Sequence, residues 1–242
     1  MKICTVIGAR PQFIKASALS ALIEKDPGLT EVLIHTGQHS DSNLSAVFFE
    51  ELGIPEPEYN LGLTGLSHAV MTGRMMEQME NILVREKPDA VVLYGDTNST
   101  LAGALAASKL HIPVAHIEAG LRSYNRAMPE ELNRIITDRL SQFLFTPSEN
   151  ASANLGKEGM GDEATIRNVG DIMYDVFLNL KVSKDKAMRL PEPFPRKGEN
   201  FGLLTLHRQE NTDNPKVLTE IIRALNDVNN HSLPLICPMH PR

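Results

Sequence analysis

The sequence has few of the features that mark metal-binding, membrane or nucleic-acid-binding proteins. Its 242 residues include only two cysteines, Cys4 and Cys237, and no CxxC or Cys/His cluster, which argues against a structural zinc site. The net charge of −6 argues against a general nucleic-acid-binding surface. No apolar run approaches a membrane span, and the first, residues 3–7, is too short for a secretory signal. The sequence therefore predicts a cytoplasmic protein that binds neither nucleic acid nor membrane.

Two common nucleotide-binding motifs are also missing. There is no GxxxxGK[ST] P-loop and no GxGxxG, so the sequence argues against a P-loop nucleotide and against NAD. The first predicted strand, Lys2–Ile7, instead leads into a helix that begins near Pro11. Arg10 and Lys15 flank this helix start, where backbone N–H groups favour anions. The two residues are either part of an anion site or a solvated basic pair, and this stretch alone leaves both open.

Predicted strands and helices alternate along the chain. This pattern predicts an α/β protein with a mostly parallel, Rossmann-like sheet that is covered by helices on both faces. We predict an N-terminal domain over residues 1–170, followed by a helix and a Lys- and Pro-rich connection over residues 171–200. Residues 201–242 contain one strand-helix-strand unit, which cannot cover both faces of its own sheet. They are expected to be the start of a second, incomplete Rossmann-like domain.

The chain is organised around residues 94–134. Two short apolar runs, 90–94 and 112–117, are typical of strands. Residues 99–109 between them are typical of a helix, with Ser99 or Thr100 as the expected N-cap. Asp96 and Glu118 follow directly after the two strands. Since ligands bind at the carboxyl ends of parallel strands in open α/β sheets, both carboxylates are expected at the ligand-binding edge.

A third carboxylate is expected from a helix that begins at Pro129. Glu130 and Arg134 are four residues apart on this helix, and the spacing predicts an ion pair between them. Taken singly, each feature has a simpler explanation: Asp96 caps the next helix, Glu118 ends a strand in solvent, and Glu130 pairs with Arg134 on the surface. Taken together they favour a functional site, because carboxylates clustered at one sheet edge are costly unless they are used or paired.

Six blocks of sequence, in order, resemble the non-hydrolysing UDP-N-acetylglucosamine 2-epimerases. The blocks are Gly8–Lys15, Gly95–Thr100, Glu118–Arg122, Met128–Arg134, His207–Asn211 and His240–Arg242. The resemblance implies a glycosyltransferase-B-like (GT-B-like) architecture of two Rossmann-like domains with the active site between them. It also implies interconversion of UDP-GlcNAc and UDP-ManNAc, for polysaccharide biosynthesis, in a cytoplasmic homodimer without a cofactor.

The same resemblance implies roles for individual residues. Asp96, Glu118 and Glu130 are the candidates that move the C2 proton of the sugar, with Asp96 and one of the two glutamates acting on opposite faces. Arg134 is expected to orient Glu130 or the sugar, whereas Glu131 is expected to point elsewhere. The resemblance also implies that Arg10, Lys15 and His207 stabilise the departing diphosphate. It places His240, in the second domain, near the nucleotide.

Three alternatives stay open from the sequence. The substrate could be a related UDP-2,3-diacetamido uronic acid sugar, because no residue here identifies the sugar contacts. The chain could be a GT-B glycosyltransferase, although such an enzyme needs no acid/base pair for a C2 proton. Finally, family members continue past Arg242, so the chain could be an inactive, truncated subunit. Fold alone does not separate these possibilities.

Overall fold

The structure is a computed structural model that describes residues 1–38, 55–179, 199–206, 209–231 and 233–238. The chain divides into two compact units, Met1–Lys181 and Val182–Arg242. The domain boundaries predicted near residues 170 and 200 stay a prediction. Among the described residues, no helix combines the length and the apolarity that crossing a membrane requires.

Strands and helices alternate along the first unit. Its strands are β1 (Lys2–Ile7), β2 (Thr30–His35), β3 (Tyr59–Asn60), β4 (Ala90–Tyr94), β5 (Val114–Ile117), β6 (Phe143–Thr146) and β7 (Thr165–Asn168). Its α-helices are α1 (Arg10–Ile23), α2 (His68–Glu86), α3 (Asn98–Lys109), α4 (Pro129–Leu140), α5 (Glu149–Lys157) and α6 (Ile172–Asn179). A short 3₁₀ turn, Met160–Asp162, precedes β7.

The seven strands form one sheet in the order β3-β2-β1-β4-β5-β6-β7. Every neighbouring pair is parallel. The chain builds outward from β1 to β3, then returns to the other side of β1 and continues from β4 to β7. The order therefore reverses between β1 and β4, which makes their carboxyl ends the topological switch point where open α/β sheets bind ligands.

Helices cover both faces of this sheet. On one face, α2 and α3 pack on Val6, Ile34 and Leu93, and the methionines of α2, Met75 and Met79, are fully buried there. On the other face, α1 packs on residues that alternate with those, such as Ile7, Leu33 and Tyr94. Fully burying a methionine stabilises a fold by about 1.5–3 kcal/mol. The predicted α/β class, with a parallel sheet between helical layers, is confirmed.

The second unit contains a smaller parallel pair, β8 (Gly202–Leu203) and β9 (Leu235–Ile236). Two helices lie between these strands in the sequence: α7 (Gln209–Thr212) and α8 (Pro215–His231). The strand-helix-strand pattern expected for this part of the chain is present. Its two strands are shorter than the apolar runs in the sequence from which they were predicted.

Candidate functional site

The candidate site lies at the switch point of the large sheet. The loop after β1 leads into α1, which carries Arg10 and Lys15. Tyr94 of β4 is in register with Ile117 of β5, so both strands end at the same level. Asp96 and Glu118 follow these strand ends, and the sheet brings them together at one edge as the sequence predicts.

Glu118 is held by a lysine from the neighbouring helix. Lys15 donates from Nζ to Glu118 Oε2, and the two side chains are only 12% and 17% exposed. The glutamate lies directly against the turn after β4, because a Cβ atom added to Gly95 would be 3.3 Å from Glu118 Oε2. Gly95 also has a φ of +63°, which favours glycine. Lys15 is therefore within reach of both predicted strand-end carboxylates and is paired with one of them.

Asp96 has a different cation. Arg134 Nη2 on α4 lies 2.6 Å from Asp96 Oδ2. The predicted ion pair between Arg134 and Glu130 is wrong, because Arg134 reaches from its helix to the turn after β4. Toward Glu130 it makes only a bond from Nε to the backbone carbonyl, at 3.2 Å. The spacing rule identifies helix neighbours but cannot foresee a better partner supplied by another element.

The two glutamates of α4 also differ from expectation. Glu130 is exposed, whereas Glu131 is buried. Glu131 accepts hydrogen bonds from the backbone N–H groups of Ser123 and Tyr124 and lies 3.5 Å from Arg134 Nε. Burial opposes its ionisation, but these hydrogen bonds and Arg134 more than compensate, so the pKa of Glu131 is lowered. Glu131 was expected to point elsewhere; it instead anchors the loop that follows β5 and lies beside Arg134.

The carboxyl group of Asp96 has a raised pKa. Burial raises its pKa most strongly, while Arg134 and Lys15 lower it, and the charges on Glu118 and Glu130 raise it again. About a third of its side chain (36%) stays exposed, so a ligand can still reach it. A raised pKa makes a carboxylate a stronger base for taking up a proton. This property fits a group that exchanges protons with a ligand.

Three side chains missed by the sequence analysis hold the backbone of the turn that carries Asp96. Gln12 of α1 donates to the carbonyl of Tyr94 at 2.8 Å, and His116 of β5 donates to that of Gly95 at 2.7 Å. Asn133 of α4 donates to the carbonyl of Asp96 itself at 2.9 Å. Three successive carbonyls are thus fixed by three different elements. The sequence signal for such residues is a polar side chain at a position expected to be buried, because buried polar groups need hydrogen-bond partners.

The start of α1 offers less free backbone than predicted. The N–H groups of Gly8 and Ala9 both donate to Gln12 Oε1, at 2.8 and 3.0 Å. Arg10 is the first residue of the helix and is partly exposed. An anion at this helix start stays a prediction, and it now depends chiefly on the side-chain cations.

The predicted residues of the second unit, His207 and His240, lie outside the described residues. Within the part of the chain that the structure describes, no group of three or more His, Cys, Asp or Glu side chains is placed to hold a metal ion. Asp96 does not cap the helix after it: Thr97 does, accepting from the N–H of Thr100. The N-cap is thus neither Ser99 nor Thr100: the helix begins at Asn98, and its cap lies two residues before Ser99.

Comparison with known proteins identifies what this arrangement resembles. A family model described as UDP-N-acetylglucosamine 2-epimerase matches residues 21–242. The UDP-2,3-diacetamido-2,3-dideoxy-D-glucuronate 2-epimerase of Pseudomonas aeruginosa is 53% identical over 244 residues, covering 100% of this chain and 67% of the relative. A UDP-N-acetylglucosamine 2-epimerase homolog of Methanococcus maripaludis is 49% identical over 243 residues, covering 100% of this chain and 66% of the relative.

A solved structure agrees with these relatives. The crystal structure of the Methanocaldococcus jannaschii UDP-GlcNAc 2-epimerase, in complex with UDP-GlcNAc and UDP, superposes with a TM-score of 0.87 at 40% identity. The match covers 100% of this chain and 67% of that one. The chain therefore spans about two thirds of the length of the relatives it matches.

Proposed function

Because the chain belongs to the UDP-N-acetylglucosamine 2-epimerase family, we propose that it carries the acid/base half of a nucleotide-sugar 2-epimerase site. The proposed reaction interconverts UDP-GlcNAc and UDP-ManNAc. The observation that supports it is the placement of Asp96 and Glu118 at the ends of adjacent parallel strands, each beside its own cation.

The proposed chemistry requires two proton-transfer groups. The C1–O bond of the sugar breaks and its electron pair leaves with UDP, while a carboxylate takes the C2 proton, which gives 2-acetamidoglucal. UDP then adds back to C1 as a proton returns to the other face of C2. The C2 proton is a poor acid, so it leaves only as positive charge develops at C1. Asp96, whose pKa is raised, is one candidate for this work. Glu118 is the first candidate for the opposite face and Glu130 the alternative.

The departing diphosphate requires positive charge. Lys15 and Arg10 lie on the first turns of α1, on the same side of the sheet edge as the carboxylates. Cations that are fixed in place before the reaction stabilise a leaving group without reorganisation. We assign these two residues to the diphosphate, together with His207 and, near the nucleotide, His240. Arg134 is assigned to orienting Asp96, which it contacts, rather than Glu130.

A second substrate has specific support. The relative at 53% identity is an epimerase of a UDP-2,3-diacetamido uronic acid sugar. The acid/base requirement at C2 is the same for both sugars, so the residues above serve either reaction. The two substrates differ at C3 and C6. Measuring the activity of the protein on both sugars tests whether its side chains discriminate between the substituents at those positions.

The assembly and location are proposed from the family resemblance alone. We propose a cytoplasmic homodimer that needs neither a metal nor an organic cofactor. Light scattering on the purified protein measures the dimer directly.

The test is proton NMR of each UDP-sugar in D2O with a large amount of the protein. We expect loss of the C2 proton signal and appearance of the epimer. Asp96→Asn should slow this exchange by about 10²–10⁴-fold, the usual contribution of a general acid/base group. Asp89→Asn is the matched control, because Asp89 precedes the same strand at the opposite edge of the sheet. The rate of C2 exchange in this variant should equal that of the wild type.

Other outcomes exclude the proposal in distinct ways. Broadening of the uridine signals without exchange would show that this chain binds but does not epimerise. Transfer of the sugar to an added acceptor would identify a glycosyltransferase. An unchanged rate in Asp96→Asn would remove Asp96 from the proton-transfer pair.

A further inference from the structure

An ionic network with a buried centre connects to the turns that carry the two candidate acid/base carboxylates. The side chains of His116 on β5 and Asp138 on α4 are both 0% exposed, and His116 Nδ1 lies 2.7 Å from Asp138 Oδ1. Arg122 Nη1 lies 2.7 Å from Asp138 Oδ2. Arg122 also forms a two-pronged pair with Glu158. Nothing in the proposed reaction uses these groups directly.

Both ring nitrogens of His116 have buried or partly buried hydrogen-bond partners. Nε2 faces the carbonyl of Gly95, which can only accept, and Nδ1 faces Asp138. Burial alone would raise the pKa of Asp138, but the hydrogen bonds and charges of His116 and Arg122 outweigh burial and lower it. Asp138 also accepts from the N–H of Gly120 and pairs with Arg122. The His116 ring is thus held at both nitrogens, between the Gly95 carbonyl and the Asp138 carboxylate.

The two ends of this pair reach the two turns that carry the candidate carboxylates. His116 Nε2 donates to the carbonyl of Gly95, which immediately precedes Asp96. Asp138 Oδ2 accepts from the N–H of Gly120, two residues after Glu118, at 3.1 Å. Glu118 itself has a φ of +71°, a conformation that non-glycine residues adopt at a cost and keep only when their surroundings enforce it. The pair thus links both turns through buried bonds.

We infer that His116 and Asp138 are positioning residues that fix the distance between Asp96 and Glu118. This inference rests on the proposed function. Two carboxylates that act on opposite faces of one sugar ring must keep a set separation, although their charges repel. The buried pair bonds to the backbone on both sides and sets that separation. Neither residue touches the substrate.

An ordinary structural ion pair makes different predictions. Buried ion pairs are weak evidence for stability, and removing one partner destabilises a fold whether or not a site is nearby. A positioning pair must also change the properties of the carboxylates that it holds. Asp96 provides this readout, because its pKa depends on where the turn places it: burial and the charges of Glu118 and Glu130 raise the pKa, and Arg134 and Lys15 lower it.

The experiment compares Asp138→Asn with Thr137→Val in the full chain. Thr137 is the adjacent residue on α4 and is fully buried, and its hydroxyl has no hydrogen-bond partner in the structure, so the control removes a buried oxygen without breaking a bond. In Asp138→Asn we expect the pKa of Asp96, measured by ¹³C carboxyl NMR, to fall toward its ordinary value. We expect kcat for C2 exchange to fall by about 10²-fold while KM changes by about twofold or less. Thr137→Val should leave all three quantities unchanged.

A second variant protects the test against a folding failure. His116→Gln can donate from one end of its side chain only, because the other terminal atom of the amide is an acceptor oxygen, so it should show the same changes to a smaller degree. A variant that melts at a lower temperature with an unchanged Asp96 titration and an unchanged kcat would overturn the inference.

These readouts separate the inference from the proposed function. If the wild-type chain shows no C2 exchange, the proposed activity fails for this chain. The titration of Asp96 in the wild type, in Asp138→Asn and in Thr137→Val still decides whether His116 and Asp138 position the turn.

Discussion

Two carboxylates of this molecule have pKa values that are shifted in opposite directions, although burial raises both. Asp96 lies at the open edge of the sheet beside one arginine, and its pKa is raised. Asp138 lies below it in the interior, and its pKa is lowered although it is more deeply buried. The difference is in the number of bonds. Asp138 receives hydrogen bonds from His116, Gly120 and Arg122, whereas Arg134 is the partner of the Asp96 carboxylate within the part of the chain that the structure describes.

This contrast separates a structural carboxylate from a candidate reactive one. A carboxylate that accepts several hydrogen bonds is stabilised in its charged form and takes up a proton less readily. A carboxylate that is desolvated but under-bonded can accept one, provided that it stays accessible. By this criterion Glu131, which accepts two backbone N–H bonds and has a lowered pKa, belongs with Asp138.

Among the substitutions that test this difference, removal of Arg122 is expected to have the largest effect on stability. Arg122→Met leaves Asp138 buried with one cation fewer and leaves Glu158 without its two-pronged partner. Removing one member of a buried ion pair costs about 3–5 kcal/mol of unfolding free energy. Urea denaturation followed by circular dichroism measures this loss.

Arg139→Met is the matched control for that measurement. Arg139 lies on α4, is 45% exposed, is 4.0 Å from Glu163 and donates to the backbone carbonyl of Glu158, so the same substitution removes exposed contacts and should cost about 1 kcal/mol or less. Equal losses in the two variants would contradict the distinction between the buried network and surface pairs.

The dependence of stability on pH distinguishes the two aspartates by sign. The pKa of Asp138 is lower in the folded protein than its ordinary value of 3.8, so its contribution is present above that value and is lost as the pH falls through the folded pKa. The pKa of Asp96 is raised, so ionised Asp96 costs stability, and the cost disappears as the pH falls through its folded pKa.

Unfolding free energies from neutral pH to below 3.8 measure this difference. Asp138→Asn should flatten the loss of stability at the acid end, whereas Asp96→Asn should retain it. The same acid slope in both variants would show that the two carboxylates do not differ in the way described.

The sequence was sufficient for the features that depend on local pattern and chain order. Short β-branched runs identified β1, β4 and β5, and alternation of strands with helices predicted the parallel sheet. From these two features it followed that Asp96 and Glu118 lie at one edge.

The features that depend on tertiary choice could not be obtained in this way. Arg134 had a helix neighbour four residues away and bonded instead to Asp96, since an arginine side chain is long enough to leave its own helix. His116 sits in an apolar strand and Asp138 in an amphipathic helix. Their pairing joins residues 22 positions apart, which no local spacing rule encodes. A buried histidine in a strand does predict a partner, but not its identity.

The smallest effect compares two N-caps. Thr97 caps α3 by accepting from the N–H of Thr100, and Ser148 caps α5 by accepting from that of Ala151, each at 3.3 Å. Thr97→Ala and Ser148→Ala should each cost about 1 kcal/mol of unfolding free energy.

Only Thr97 is also linked to the candidate site, because its hydroxyl accepts from Gln12 Nε2, which holds the carbonyl of Tyr94. We therefore expect Thr97→Ala, and not Ser148→Ala, to slow C2 exchange by about tenfold, because Gln12 then holds the turn less firmly. Urea denaturation and the D2O exchange assay on the two variants measure both quantities. Equal exchange rates at equal stability loss would mean that the turn before Asp96 keeps its position without Thr97, held by the bonds of Gln12 to the Tyr94 carbonyl and to the Thr100 hydroxyl.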